Sequence, residues 1–147
     1  MIRFRPPRIA LTCIGAAALV DLLTRGHLRL TLPHPFAGIL LWAAGLAVML
    51  TGWRLFVDAH VAIRPTDDTV RLVTGGIYRW TRNPMYLGLV VMVAGIAVGR
   101  GTWPHYVAAA VLFVILDRVF CRFEEAKLTA RFGEEYIAYA RRVRRWA

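Results

Sequence analysis

Apolar and polar positions fall in long blocks along this chain instead of alternating singly. Four blocks are almost wholly apolar, at about residues 8–24, 36–57, 84–99 and 103–120. Such runs predict helices that are apolar all round, the pattern of membrane spans. A span needs roughly 17–25 residues at about 1.5 Å each; the second block is comfortably long and the others are short. Beyond Phe120 the period changes. In "RFEEAKLTARFGEEYIAYARRVRRW", Leu128, Phe132, Tyr136, Tyr139 and Val143 recur every three or four residues, which predicts an amphipathic helical tail divided at Gly133. "HLRLTLPHP" and "RGTWP" read as short turns, whereas residues 58–83 form a long polar connection in which Gly75-Gly76 predicts a tight turn. The expectation is a single all-α integral membrane domain over residues 1–147. It has about four transmembrane helices and a C-terminal amphipathic cytoplasmic helical segment over residues 121–147. The first block also resembles a signal peptide, with its basic "MIRFRPPR" and small "GAAAL". Asp21 and Arg25 follow without a natural mature amino terminus, which favours a retained span.

Composition supports the membrane reading, because 58% of the 147 residues are hydrophobic and the mean hydropathy is +0.50. Charge adds orientation. With four spans, one side carries Arg3, Arg5, Arg8, the arginines of residues 58–83 and those of the tail, 14 Lys and Arg in all; the other side carries Arg25, Arg29 and Arg100. Both termini are therefore expected in the cytoplasm. The net charge of +10 flanks apolar segments instead of forming a separate basic domain, so nucleic acid is not the expected partner. Eighteen Arg against one Lys fit a GC-rich genome, and with it a bacterial inner membrane. Cys13 and Cys121 lie in or at the end of apolar segments and read as small buried hydrophobes. His60 has no second histidine at ligand spacing, so no metal site is expected.

Ionisable residues in apolar surroundings are costly and point to function. Asp117, Arg118, Arg122, Glu124 and Glu125 run through the end of the fourth block. On a continuous α-helix Asp117, Cys121, Glu124 and Leu128 share one stripe, and Arg118, Arg122, Glu125 and Thr129 the next. The alternative is that these groups reach the interface and pair among themselves; Arg54 is read that way, and Asp21 is read as interfacial. The stretch "YRWTRNPMYLG" opens the third block. Asn83 is a good N-cap and Pro84 suits the first helical position. The helix then presents free N–H groups and a positive dipole end to an anionic ligand. Tyr86 lies in the first turns, and Gly88 would let a ligand approach the backbone. A well-capped helix with arginines at the lipid headgroups accounts for the same residues.

"LVTGGIYRWTRNPMYLGL" followed by "RFEEAKLTARFGEEYIAYARRVRRW" resembles the isoprenylcysteine carboxyl methyltransferase family, a relative of the membrane phospholipid methyltransferases. The resemblance runs from about Trp53 to Trp146. It implies an integral membrane enzyme using S-adenosylmethionine, with a cofactor pocket made by Arg82, Asn83, Pro84, Tyr86 and Gly88, by Glu124 and Glu125, and by Phe132, Tyr136 and Tyr139. An arginine that positions the acceptor is expected, with Arg145 and Arg118 as the candidates. The acceptor would be amphiphilic or small: a prenylcysteine carboxylate, a lipid amine or a small thiol. Two departures stand out. Asn83 occupies a position where many members have His, so proton transfer there is not expected, and Ile77 replaces a common Pro. Two other readings are compatible with the sequence: an NADPH-dependent membrane reductase of related fold, and a non-catalytic membrane scaffold.

Overall fold

The computed structural model describes residues 6–58 and 71–147. His60 and the pair Asp67-Asp68 lie outside the described residues. Six α-helices follow in order: α1 (Pro6–Leu23), α2 (Pro35–Asp58), α3 (Pro84–Arg100), α4 (Trp103–Ile115), α5 (Arg122–Phe132) and α6 (Glu134–Arg142). A 3-10 turn, Gly76–Arg79, precedes α3, and a π-helical turn, Leu116–Cys121, joins α4 to α5 without a break. No strand occurs among the described residues; Arg29 and Thr102 form an isolated bridge. Proline sets the starts, since Pro35 opens α2, Pro84 opens α3 and Pro104 is the second residue of α4. Glycine sets the stops. Gly101 ends α3 at φ 67°, its N–H donating to Ala97 O at 2.8 Å, and Gly133 divides α5 from α6 at φ 52° as expected.

The helix boundaries match the four apolar blocks within two residues, except at the end of the fourth. There the α-helical part stops at Ile115 and the chain winds on as the π turn. By length and composition, α1 and α2 are the described helices able to cross a membrane; at 18 and 24 residues they measure about 27 and 36 Å. α3 is apolar but shorter, at 17 residues. Leu11, Leu19, Leu22, Phe36, Leu40 and Trp42 point outward and stay exposed, a surface suited to hydrocarbon. The interior centres on Leu112, Leu116, Phe120 and Cys121, packed with Tyr86, Val93 and Ala10.

α2 and α3 form the tightest seam. Gly38, Gly45 and Gly52 recur at heptad spacing and are the buried residues of α2. A Cβ on Gly38 would lie 2.7 Å from Gly95 O, and one on Gly45 would lie 2.6 Å from Gly88 O. Only glycine allows two helix backbones this close, and the approach gains dispersion contacts along their length. At Gly52 the facing atoms are side-chain carbons of Pro84 and Met85, 3.1 and 3.2 Å from such a Cβ. The seam therefore fixes where the amino end of α3 sits.

The π turn changes the helical phase. A wide turn takes up about one extra residue relative to an α-helix, which holds back everything beyond it by about 100°. Asp117 and Glu125, eight residues apart, then lie almost in line, as residues seven apart do on a regular helix. This corrects the two stripes expected from a continuous α-helix. Asp117 and Glu125 share a partner, while Arg118 and Arg122 face outward and are exposed.

Candidate functional site

At the amino end of α3 an open-mouthed cavity encloses about 830 Å³ of empty space, its mouth included. Its wall on the α3 side is Arg82, Asn83, Pro84, Met85 and Tyr86. Glu124, Glu125, Lys127 and Leu128 of α5 form the second wall, and Tyr136 and Tyr139 of α6 the third. Phe56, Tyr78 and residues 71–73 complete it. Eight expected residues thus come together: Arg82, Asn83, Pro84, Tyr86, Glu124, Glu125, Tyr136 and Tyr139.

Four expected residues are not on this lining. Gly88 is buried against α2, so the backbone that its missing side chain exposes is approached by Gly45 and Met49 and not by a ligand. Phe132 is half-buried at the end of α5. Arg118 is two-thirds exposed and pairs with Asp117 of its own turn at 3.3 Å. Arg145 lies behind the wall, fully engaged by its own chain: Nε donates to Glu125 Oε1 at 2.9 Å and Nη1 to Asp117 Oδ1 at 3.0 Å. These bonds hold its guanidinium well above the usual arginine range. Trp146 Nε1 donates to the same Asp117 oxygen at 2.9 Å. Arg145 therefore positions Glu125.

Glu125 is also met from the cavity side by Arg82, Nη1 to Oε1 at 3.1 Å, and the same nitrogen donates to Tyr136 OH at 3.2 Å. One carboxylate between two guanidiniums is well compensated. Glu124 differs. It accepts a short hydrogen bond from Tyr86 OH, and burial pushes its carboxyl up to about 7 against the pull of that bond and of Lys127. Burial likewise raises the Tyr139 phenol to about 12, and Tyr139 donates to Tyr78 O at 2.7 Å.

Asn83 occupies the N-cap position of α3, but its side chain makes no cap bond. It donates instead through Nδ2 to Arg145 O at 3.2 Å, an acceptor it shares with Thr81 Oγ1 at 3.0 Å. Arg82 N donates to Arg144 O at 3.0 Å. Residues 143–145 thus run as a strap across the start of α3. The unused cap leaves the first turn of α3, whose Met85 and Tyr86 line the cavity, without a side-chain acceptor at the helix end where the dipole favours an anion. Two donors at this wall are buried without a partner among the described residues, Tyr78 OH and Arg82 Nε. Orphaned donors beside paired carboxylates suit a ligand bearing both anionic and cationic groups. Tyr78 was not among the expected residues, although it begins the motif that supplied five of them. The available signal was its place two residues after the Gly75-Gly76 turn.

The family model for phospholipid methyltransferase matches residues 34–135. Similar curated proteins include human protein-S-isoprenylcysteine O-methyltransferase, 36% identical over 84 residues, which is 57% of this chain and 30% of that protein. The Schizosaccharomyces pombe protein of the same name is 28% identical over 88 residues, covering 58% and 36%. A probable protein-S-isoprenylcysteine O-methyltransferase of Oryza sativa subsp. indica is 33% identical over 101 residues, covering 67% and 50%. The chain thus spans about a third to a half of the length of these relatives. No solved structure gives a significant match.

Proposed function

Since this chain belongs to the phospholipid methyltransferase family, we propose that it is a membrane enzyme that methylates a lipid-like, prenylcysteine-like or small thiol or carboxylate acceptor. S-adenosylmethionine is the proposed methyl donor, and the cavity at the amino end of α3 is its site. The observation that carries this reading is the convergence of the motif residues with two orphaned donors and two carboxylates on one cavity. When bound, S-adenosylmethionine supplies an electrophilic methyl group on its sulfonium. Arg82, Tyr78 and the first-turn N–H groups of α3 are donors for its carboxylate. Glu124 and Glu125 are acceptors for its ammonium or ribose hydroxyls, and the faces of Tyr136 and Tyr139 suit a cation at about 0.5–2 kcal/mol.

The chain's contribution is then mainly alignment and exclusion of water. A thiolate or carboxylate acceptor needs no proton removed. A lipid amine does, and Glu124, titrating near 7, is the cavity carboxylate suited to take it. The names of the relatives make a prenylated cysteine one acceptor to test. Four spans, with both termini in the cytoplasm of a bacterial inner membrane, complete the proposal; this topology would set the cavity at the cytoplasmic face.

Titration of the purified protein in detergent with S-adenosylmethionine and, separately, with NADPH tests the reading. Binding of S-adenosylmethionine is expected, weakened at least about tenfold in Glu125→Gln while the protein stays folded. Binding of NADPH alone would indicate a reductase, and binding of neither a scaffold.

A further inference from the structure

The outer side of the strap carries a second cleft, lined by Arg79, Trp80, Arg142, Val143, Arg144 and Ala147. It shares no residue with the cavity, and no acidic side chain lines it. Arg79, Arg142 and Arg144 are exposed. Arg142 Nε donates to Ala138 O at 3.3 Å, and none of the three has a carboxylate partner among the described residues. This is unlike Arg82 on the cavity wall and Arg145 behind it, which are each ion-paired. Trp80 beside them is 79% exposed.

Three guanidiniums around one concavity repel one another unless an anion joins them. Their planar donor sets match phosphate oxygens in pairs. An indole left in the open is the side chain that settles at the headgroup level of a bilayer, with its ring in the apolar margin and its N–H in the polar layer. Charge and aromatic exposure therefore select the same partner.

We propose that this cleft binds the phosphate of an anionic phospholipid headgroup. Its occupancy steadies the strap, because Arg144 and Arg145 give their carbonyls to Arg82, Thr81 and Asn83 while the Arg145 side chain holds Glu125. The lipid-binding half stands independently; the coupling to cofactor affinity rests on the function proposed above.

The test uses the full chain in nanodiscs of phosphatidylcholine, with or without phosphatidylglycerol. Spin-labelled lipids report the motionally restricted fraction, and S-adenosylmethionine affinity is measured in parallel. Restricted phosphatidylglycerol should exceed phosphatidylcholine by on the order of tenfold in association constant, since exposed arginines at an anionic surface favour the charged lipid. Arg79→Gln/Arg144→Gln should abolish the preference, whereas Arg25→Gln/Arg29→Gln, which removes the same charge from the 24–34 connection, should keep it. Cofactor affinity should rise several-fold with phosphatidylglycerol in the wild type and in Arg25→Gln/Arg29→Gln, and not in Arg79→Gln/Arg144→Gln. Equal restriction of both lipids, or an equal loss in both variants, would overturn the proposal. Displacement of the preference by millimolar inorganic phosphate would assign the cleft to free phosphate and overturn it as well. Absence of S-adenosylmethionine binding in every lipid would count against the proposed function and leave the spin-label result readable.

Discussion

The α2–α3 seam and the cavity beside it are built on the same two helices and obey opposite rules. Along the seam, glycine backbones face one another, with Met49 and Met92 packed beside them. Near its Gly52 end, Pro84, Met85 and Phe56 border a space edged with charge. The close fit makes the open site affordable: backbone packing fixes α3, so the polar wall is left free to keep unsatisfied donors. Shape and chemistry are thus assigned to different ends of one interface.

Substitution at the seam should have the largest effect. Gly88→Val places branched carbons against the Gly45 and Met49 backbones and should cost on the order of 3 kcal/mol or abolish folding. Thermal denaturation in detergent measures this. Gly99→Ala on the same helix should be tolerated, because its Cβ would meet only Gly38 Cα at 3.8 Å. Equal destabilisation by the two would break the distinction between the close-packed middle of the seam and its looser end.

At the polar end the two candidate arginines, Arg145 and Arg118, should separate. Arg145→Gln leaves Asp117 and Glu125 short of their shared partner, each about a fifth exposed, and should cost about 2 kcal/mol, below the range for a fully buried pair. Arg118→Gln should stay within about 0.5 kcal/mol. Denaturation midpoints of the two variants decide this, and similar values would mean that the Arg145 network contributes no more than a surface pair.

The smallest expected effect is on titration. Glu124 is a carboxylate above about pH 7 and protonated below it, so affinity for a cationic ligand group should fall as pH drops through about 7. Tyr86→Phe removes a hydrogen bond that favours the carboxylate, so the midpoint should move upward and affinity at neutral pH should drop a few-fold. Binding isotherms between pH 6 and 9 measure both. A pH-independent affinity in the wild type would remove Glu124 from the ligand's contacts.

Much of the fold was legible because local signals decide it. Apolar block length, Pro84 at a helix start and Gly133 between the tail helices each act within a few residues. The motif at 82–86 and the Glu pair were legible as separate pieces, and the structure brings them together. What escaped the sequence depends on contacts between distant residues. Asn83 looks like a cap, yet its side chain goes to a carbonyl 62 residues away. Gly88 looks available to a ligand, yet α2 covers it. Arg145 looks free for substrate, yet two acidic residues 20 and 28 positions earlier hold it.

The π turn over Leu116–Cys121 has a consequence for insertions and deletions. Removing one residue there would let the helix close up into regular α geometry, and every position of the helix beyond it would swing by about 100°. Glu124 and Glu125 would keep their identities and lose their partners. The alignment of this wall is written in chain length, so a relative that shares each site residue but differs by one residue in this turn would hold a different site.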